Sequence, residues 1–140
     1  MLSIHFCVWA LLISIHDWRF HRIRRKDVLL AIVSLLPWIH FESIKVAIFN
    51  LSIYLLVFIL SRGQIGFGDV RLSLLIGFYL GLQKISYLEV LEVNFLSWLG
   101  ASLFAIGRWV CRFPMGALPF APFMFLSVVI SAVIDTAKVI

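Results

Sequence analysis

VAIFNLSIYLLVFIL, residues 46–60, carries no charge and stops abruptly at Ser61-Arg62-Gly63-Gln64. A run of this kind reads as a helix made for an apolar solvent. Working outward, charges and Gly/Pro clusters divide the rest of the chain into five more apolar runs: 2–15, 28–41 with Pro37 inside it, 70–82, 95–110 and 120–133. Several fall short of the ~20 residues of a spanning helix. Flanking Trp, Tyr and His residues, which favour the membrane interface, bring most of them nearer that length. The spacing predicts an all-α, polytopic membrane protein of about six spans, with four spans plus re-entrant pieces as the alternative.

Composition leads to the same class. Of 140 residues, 63% are hydrophobic and 14% charged, with a mean hydropathy of +1.08, against ~45–50% and ~25% in soluble domains. A soluble domain of this size leaves ~30% of its unfolded surface exposed, too much to hide such a composition from water. Nothing suggests a linker, repeat or low-complexity stretch, so residues 1–140 are expected to form one domain. The first run has no basic flank before it and no small-residue cleavage site after it, and reads as a retained helix. Cys7 and Cys111 offer neither a disulfide framework nor a metal-binding pair.

If the loops alternate sides, Arg19, Arg22, Arg24, Arg25, Lys26, Arg62, Arg71, Arg108 and Arg112 share one face, and Lys45, Lys84 and Lys138 the other. Nine against three is a positive-inside bias that places both termini outside the cytoplasm. Asp17 and Asp69 then share the cytoplasmic face, opposite Glu42, Glu89, Glu92 and Asp135. The net charge of +5 reads as topology and contact with an anionic bilayer, not as nucleic-acid binding.

Carboxylates at membrane edges are costly and usually face a bundle interior or a watery cavity. Asp17 closes the first run, and Asp69 opens the fourth just behind Gly66 and Gly68, which let another backbone approach. Two converging carboxyls sharing a proton can act as acid and base on an attacking water. The alternative is that each is an interfacial cap, Asp69 as N-cap of the fourth helix. Asp17, near a helix C-terminus, is expected to hold the shared proton, and Asp69, near a helix N-terminus, to be the base. Arg19, Arg22 and Arg24 would reverse this if they folded back towards Asp17. His5, His16, His21 and His40 lack metal-ligand spacing, so no metal or other cofactor is expected. No GxSxG string suggests a serine nucleophile. Glu89 and Glu92 read as one solvated helix face.

Three segments carry a family resemblance. GFGDVRLSLLIGFYLGL, residues 66–82, resembles the GxGD signature of type IV prepilin peptidases, with Arg71 at the family's basic position. Asp17-Trp18-Arg19 followed by Ile23 is similar to the other catalytic segment, and Pro119-Phe120-Ala121-Pro122 to the PFxP segment opening the last helix. The resemblance implies a prokaryotic inner-membrane aspartyl endopeptidase that removes the leader peptides of prepilins or pseudopilins at the cytoplasmic face. By the same resemblance Asp17 and Asp69 are catalytic, supported by Gly66, Gly68, Arg71, Pro119, Phe120 and Pro122. The likeness is to compact members, so cleavage without N-methylation is expected. Where the family has Ile-Pro-Asn, this chain has Ile23-Arg24-Arg25. A catalytically degenerate assembly or scaffold protein that keeps both aspartates is the second reading. A transporter or channel would want mid-span charges or matched half-helices.

Overall fold

Among the described residues of the computed structural model six α-helices follow one another: α1 (Leu2–Phe20), α2 (Arg25–Leu35), α3 (Phe41–Leu60), α4 (Phe67–Leu82), α5 (Tyr87–Val110) and α6 (Ala121–Val139). The structure describes residues 2–62, 65–112 and 118–139, with side chains of α6 described as far as Ile134. Gly63-Gln64 and the side chains of Asp135 and Lys138 lie outside the described residues. Among the described residues there is no strand.

Each apolar run lies wholly or largely in a helix, and three of the boundaries that differ have clear local reasons. Pro37, with no N–H to donate, falls in a 3-10 turn, Leu36–Trp38, that ends the second run early. α3 takes in Glu42 and Lys45, whose ion pair at 2.8 Å lets charged residues join an otherwise apolar helix. α5 starts at Tyr87, ahead of its apolar run, because Ser86 and Glu89 form a capping box. Ser86 N–H donates to Glu89 Oε2 at 2.6 Å, and Glu89 N–H to Ser86 Oγ at 3.4 Å. Glu89 therefore starts α5, and Glu92 is exposed one turn later.

α4 is the most enclosed helix, with nine of its 16 residues buried. It runs antiparallel to α3, with Ser73, Gly77 and Gly81 facing Asn50, Ala47 and Ser43 in turn. A Cβ on Gly77 would lie 2.5 Å from Ala47 Cα, and one on Gly81 closer still to Ser43 Cα. Small residues four apart on both helices let the backbones nearly touch, the arrangement favoured where apolar solvent removes the hydrophobic drive to associate.

The exterior is apolar, and the largely apolar interior holds a few buried polar side chains that link the helices. Asn50 Nδ2 donates to Ser73 O at 2.8 Å, and Asn94 Nδ2 to Asn50 Oδ1 at 2.8 Å, tying α3 to α4 and α5. Ser97 and Ser127 link α5 to α6 at 2.6 Å. At the far end, His5 of α1 meets Tyr79 Oη at 2.6 Å and Ser34 Oγ at 2.7 Å. Ile4, Leu11, Ile48, Leu56, Ile59, Leu103, Ile106 and Val133, by contrast, are all exposed. By length and hydropathy, α3 and α5 qualify as membrane spans, at mean hydropathies of 2.2 and 1.5. α2, at 11 residues, extends only ~16 Å.

Asn50 sits at the junction of three helices. Asn50→Leu removes two interhelical hydrogen bonds and strands the Asn94 amide, so a loss of about 1–2 kcal/mol is expected at typical intramembrane values. Reversible unfolding in mixed micelles measures it. Unchanged stability would mean that this junction contributes nothing net.

Candidate active site

Asp17 lies in the last turn of α1 and is only 4% exposed. α1 ends because His21 takes a left-handed φ of 49° while its N–H donates to Asp17 O at 2.7 Å. His16 Nδ1–H then donates to Arg22 O at 2.9 Å, and its ring stacks on Phe20 with centroids 4.7 Å apart. These contacts turn the chain back so that Ile23 reaches α4. A Cβ on Gly68 would be 3.1 Å from Ile23 Cβ. The glycine is thus what lets the Asp17 segment seat against the start of α4.

Asp69 is the third residue of α4, whose N-cap is Gly66 and not Asp69. The Asp69 N–H donates to Gly66 O at 3.0 Å. A Cβ on Gly66 would sit 3.3 Å from Asp69 Oδ2 and crowd the carboxyl.

α6 supplies the third piece. Pro119 is buried, and Pro122 lies in the first helical turn, where a missing N–H costs nothing. Between them the Ala121 N–H donates to Asp17 Oδ2 at 3.0 Å. Asp17 therefore caps the start of α6 while standing at the end of α1.

Asp17 and Asp69 line one cavity of about 690 Å3, together with His21, Arg22, Ile23, Ile65, Gly66, Phe67, Gly68, Arg71, Trp98, Leu118 and Phe120. The Arg71 guanidinium lies 4.6 Å from the centre of the Phe67 ring. An apolar groove of about 360 Å3 shares Ile65, Trp98, Leu118 and Phe120 with this cavity and continues along Val57 of α3 and Ala101, Ser102 and Ala105 of α5. Of the residues singled out from sequence, Gly66, Gly68, Arg71 and Phe120 join the two aspartates in the cavity. Pro119 and Pro122 do not line it, and shape the start of α6 instead. Of the three arginines considered near Asp17, Arg22 lines the cavity, whereas Arg19 and Arg24 line a separate groove. Trp98 and Leu118 carried no sequence signal, since an apolar residue reads alike in a cavity wall and in a lipid-facing helix.

Among the described residues no cluster of three His, Cys, Asp or Glu side chains is placed to hold a metal ion. The fold and site define an all-helical protein with paired carboxyl groups in one cavity at the end of its bundle. The chain belongs to the type IV leader peptidase family, whose model matches residues 4–135. Neither the curated proteins nor the solved structures contain a match. Membership makes the protein a leader-peptidase-type protease at the level of the family.

Proposed function

We propose that residues 1–140 form one membrane-embedded aspartyl endopeptidase domain that cleaves the leaders of prepilin or pseudopilin-like proteins at the cytoplasmic face. The observation that supports this best is the placement of Asp17 and Asp69, from opposite ends of the N-terminal half, in one cavity of a chain of this family. One carboxylate takes a proton from water as the water oxygen bonds to the scissile carbonyl carbon. The partner carboxyl gives its proton to the carbonyl oxygen. Collapse of the tetrahedral intermediate breaks the C–N bond as the proton gained from water passes to the leaving amine, and a hydroxyl of the intermediate returns a proton to the partner carboxylate, restoring the shared proton.

The Ala121 N–H at Asp17 Oδ2 alters the roles expected from helix ends alone. Besides the C-terminus of α1, Asp17 meets the N-terminus of α6, whose backbone dipole and direct hydrogen bond both favour a carboxylate. Asp17 is therefore assigned as the base and Asp69 as the bearer of the shared proton, although the pair titrates as a unit. The apolar groove beside the cavity accommodates whichever flank of the scissile bond is apolar, while His21, Arg22 and Arg71 line the polar side. A non-catalytic scaffold has no use for two carboxyls kept beside an open cavity. Co-expression with a prepilin tests the reading: a product shortened by its leader is expected, and an unprocessed prepilin would favour the scaffold.

The same reading places the bundle in a prokaryotic inner membrane, crossing it about six times with both termini outside the cytoplasm. Its support is the nine-to-three split of Lys and Arg and the outward-facing aliphatic side chains. Single cysteines at Arg22 and Lys84, in a chain lacking Cys7 and Cys111, are expected to label from opposite sides. Labelling of both from the periplasm would overturn the topology.

A further inference from the structure

Between α1 and α2, on the flank away from the two aspartates, runs a groove of about 280 Å3 that the peptidase reading leaves unused. Its lining changes character along its length. Trp9, Leu12 and Ile15 form the apolar end, and Arg19 and Arg24 the basic end. Leu12, Ile15 and Arg19 fall on one stripe of α1. From Trp9 to Arg19 the stripe covers ~15 Å, half the hydrocarbon thickness of a bilayer. Leu12 and Ile15 are more than half exposed, and neither guanidinium makes an ion pair among the described residues. Asp27 also lines the basic end, so a net positive charge of one remains there.

We propose that the α1/α2 groove binds one anionic phospholipid of the surrounding leaflet, its phosphate between Arg19 and Arg24 and an acyl chain along Leu12 and Ile15. The inference rests on the membrane-embedded reading above. What selects a lipid over a free anion is the joined apolar wall: inorganic phosphate uses only the two guanidinium groups, whereas a phospholipid fills the whole groove. The site also touches the active centre indirectly. His16 lines the groove and holds Arg22 O at 2.9 Å, and Arg22 and Ile23 line the aspartate cavity. Lipid in the groove thus steadies the 21–24 turn that seats the Asp17 segment against Gly68.

Native mass spectrometry of the protein from neutral-detergent micelles, titrated with phosphatidylglycerol or phosphatidylcholine, reads binding without requiring peptidase activity. At least about tenfold tighter retention of phosphatidylglycerol is expected, and the double variant Arg19→Gln/Arg24→Gln should bring it down to the phosphatidylcholine level. Arg25→Gln/Lys26→Gln removes the same charge from neighbouring residues outside the groove, and should cost less than about twofold. Arg19→Lys/Arg24→Lys keeps the charge and the fold, and should retain most of the binding. Equal losses in the two Gln pairs would replace the site with diffuse surface attraction. Full displacement by millimolar inorganic phosphate would make it a plain anion site, and unchanged binding in Arg19→Gln/Arg24→Gln would leave the groove to another occupant; each overturns the proposal. An inactive wild-type enzyme that still shows selective retention would count against the peptidase reading and not against the lipid site.

Discussion

Asp17→Ala and Asp69→Ala are each expected to reduce leader removal by on the order of 10^4-fold, the scale of a lost acid–base group, while the protein stays folded in the membrane. The double variant should be scarcely worse than either single one, because two carboxyls that share one proton act as a unit. Prepilin co-expression followed by gel separation of precursor and product measures all three. Normal processing by either single variant would exclude that residue from the pair. Substitution by Asn separates the roles, since an amide resembles a protonated carboxyl in shape and in its capacity to donate. Under the proposed roles, Asp69→Asn keeps a partner shaped like the protonated carboxyl, and Asp17 keeps the Ala121 N–H. It should therefore bind a transition-state-like inhibitor better than Asp17→Asn does, even though neither turns over. The reverse order would return the base role to Asp69, as the helix ends alone suggest.

The second large effect belongs to the α3–α4 contact. Gly77→Ala places a Cβ 2.5 Å from Ala47 Cα, too close for any rotamer change to relieve, because the obstruction is backbone. A loss of about 3 kcal/mol or more is expected, at the upper end of overpacking costs, as the helices are forced apart. Gly81→Ala should behave alike against Ser43. Ala47→Gly removes only a Cβ and leaves Ala47 Cα in place, so it should not rescue Gly77→Ala. Gly107→Ala is the internal control: nothing lies within 4 Å of its Cβ position, and replacing an unobstructed helical glycine gains up to about 1 kcal/mol. Reversible unfolding in mixed micelles ranks the four. A neutral Gly77→Ala would show that α3 and α4 sit further apart than described. Because Asp69 rides on the first turn of α4, spreading these helices should also reduce leader removal.

The features legible in the sequence were those carried by neighbours along the chain. Six apolar runs announced six helices because composition and hydropathy are local. Where a run and its helix disagree, the cause is also local: the Ser86–Glu89 capping box and the Glu42–Lys45 pair bring polar residues inside helices, and Pro37 ends one early. Asp17, Asp69 and the glycines of the GFGD string stood out for the same reason, as costly or permissive residues at the ends of apolar runs. Gly77 and Gly81 were not singled out from the sequence, because only the structure shows that Ala47 and Ser43 receive them. The tertiary structure decided what depends on residues far apart in the chain: Ala121 donating to Asp17 across 104 positions, and Ile23 seated on Gly68. It likewise separated Arg22, in the cavity, from Arg19 and Arg24, in the groove between α1 and α2. Periodicity says which face of a helix is apolar but not which helix lies against it. A hydrogen bond or a close backbone contact exists only once that pairing is made, and so the electrostatics of the two aspartates could not be assigned from the ends of their own helices alone.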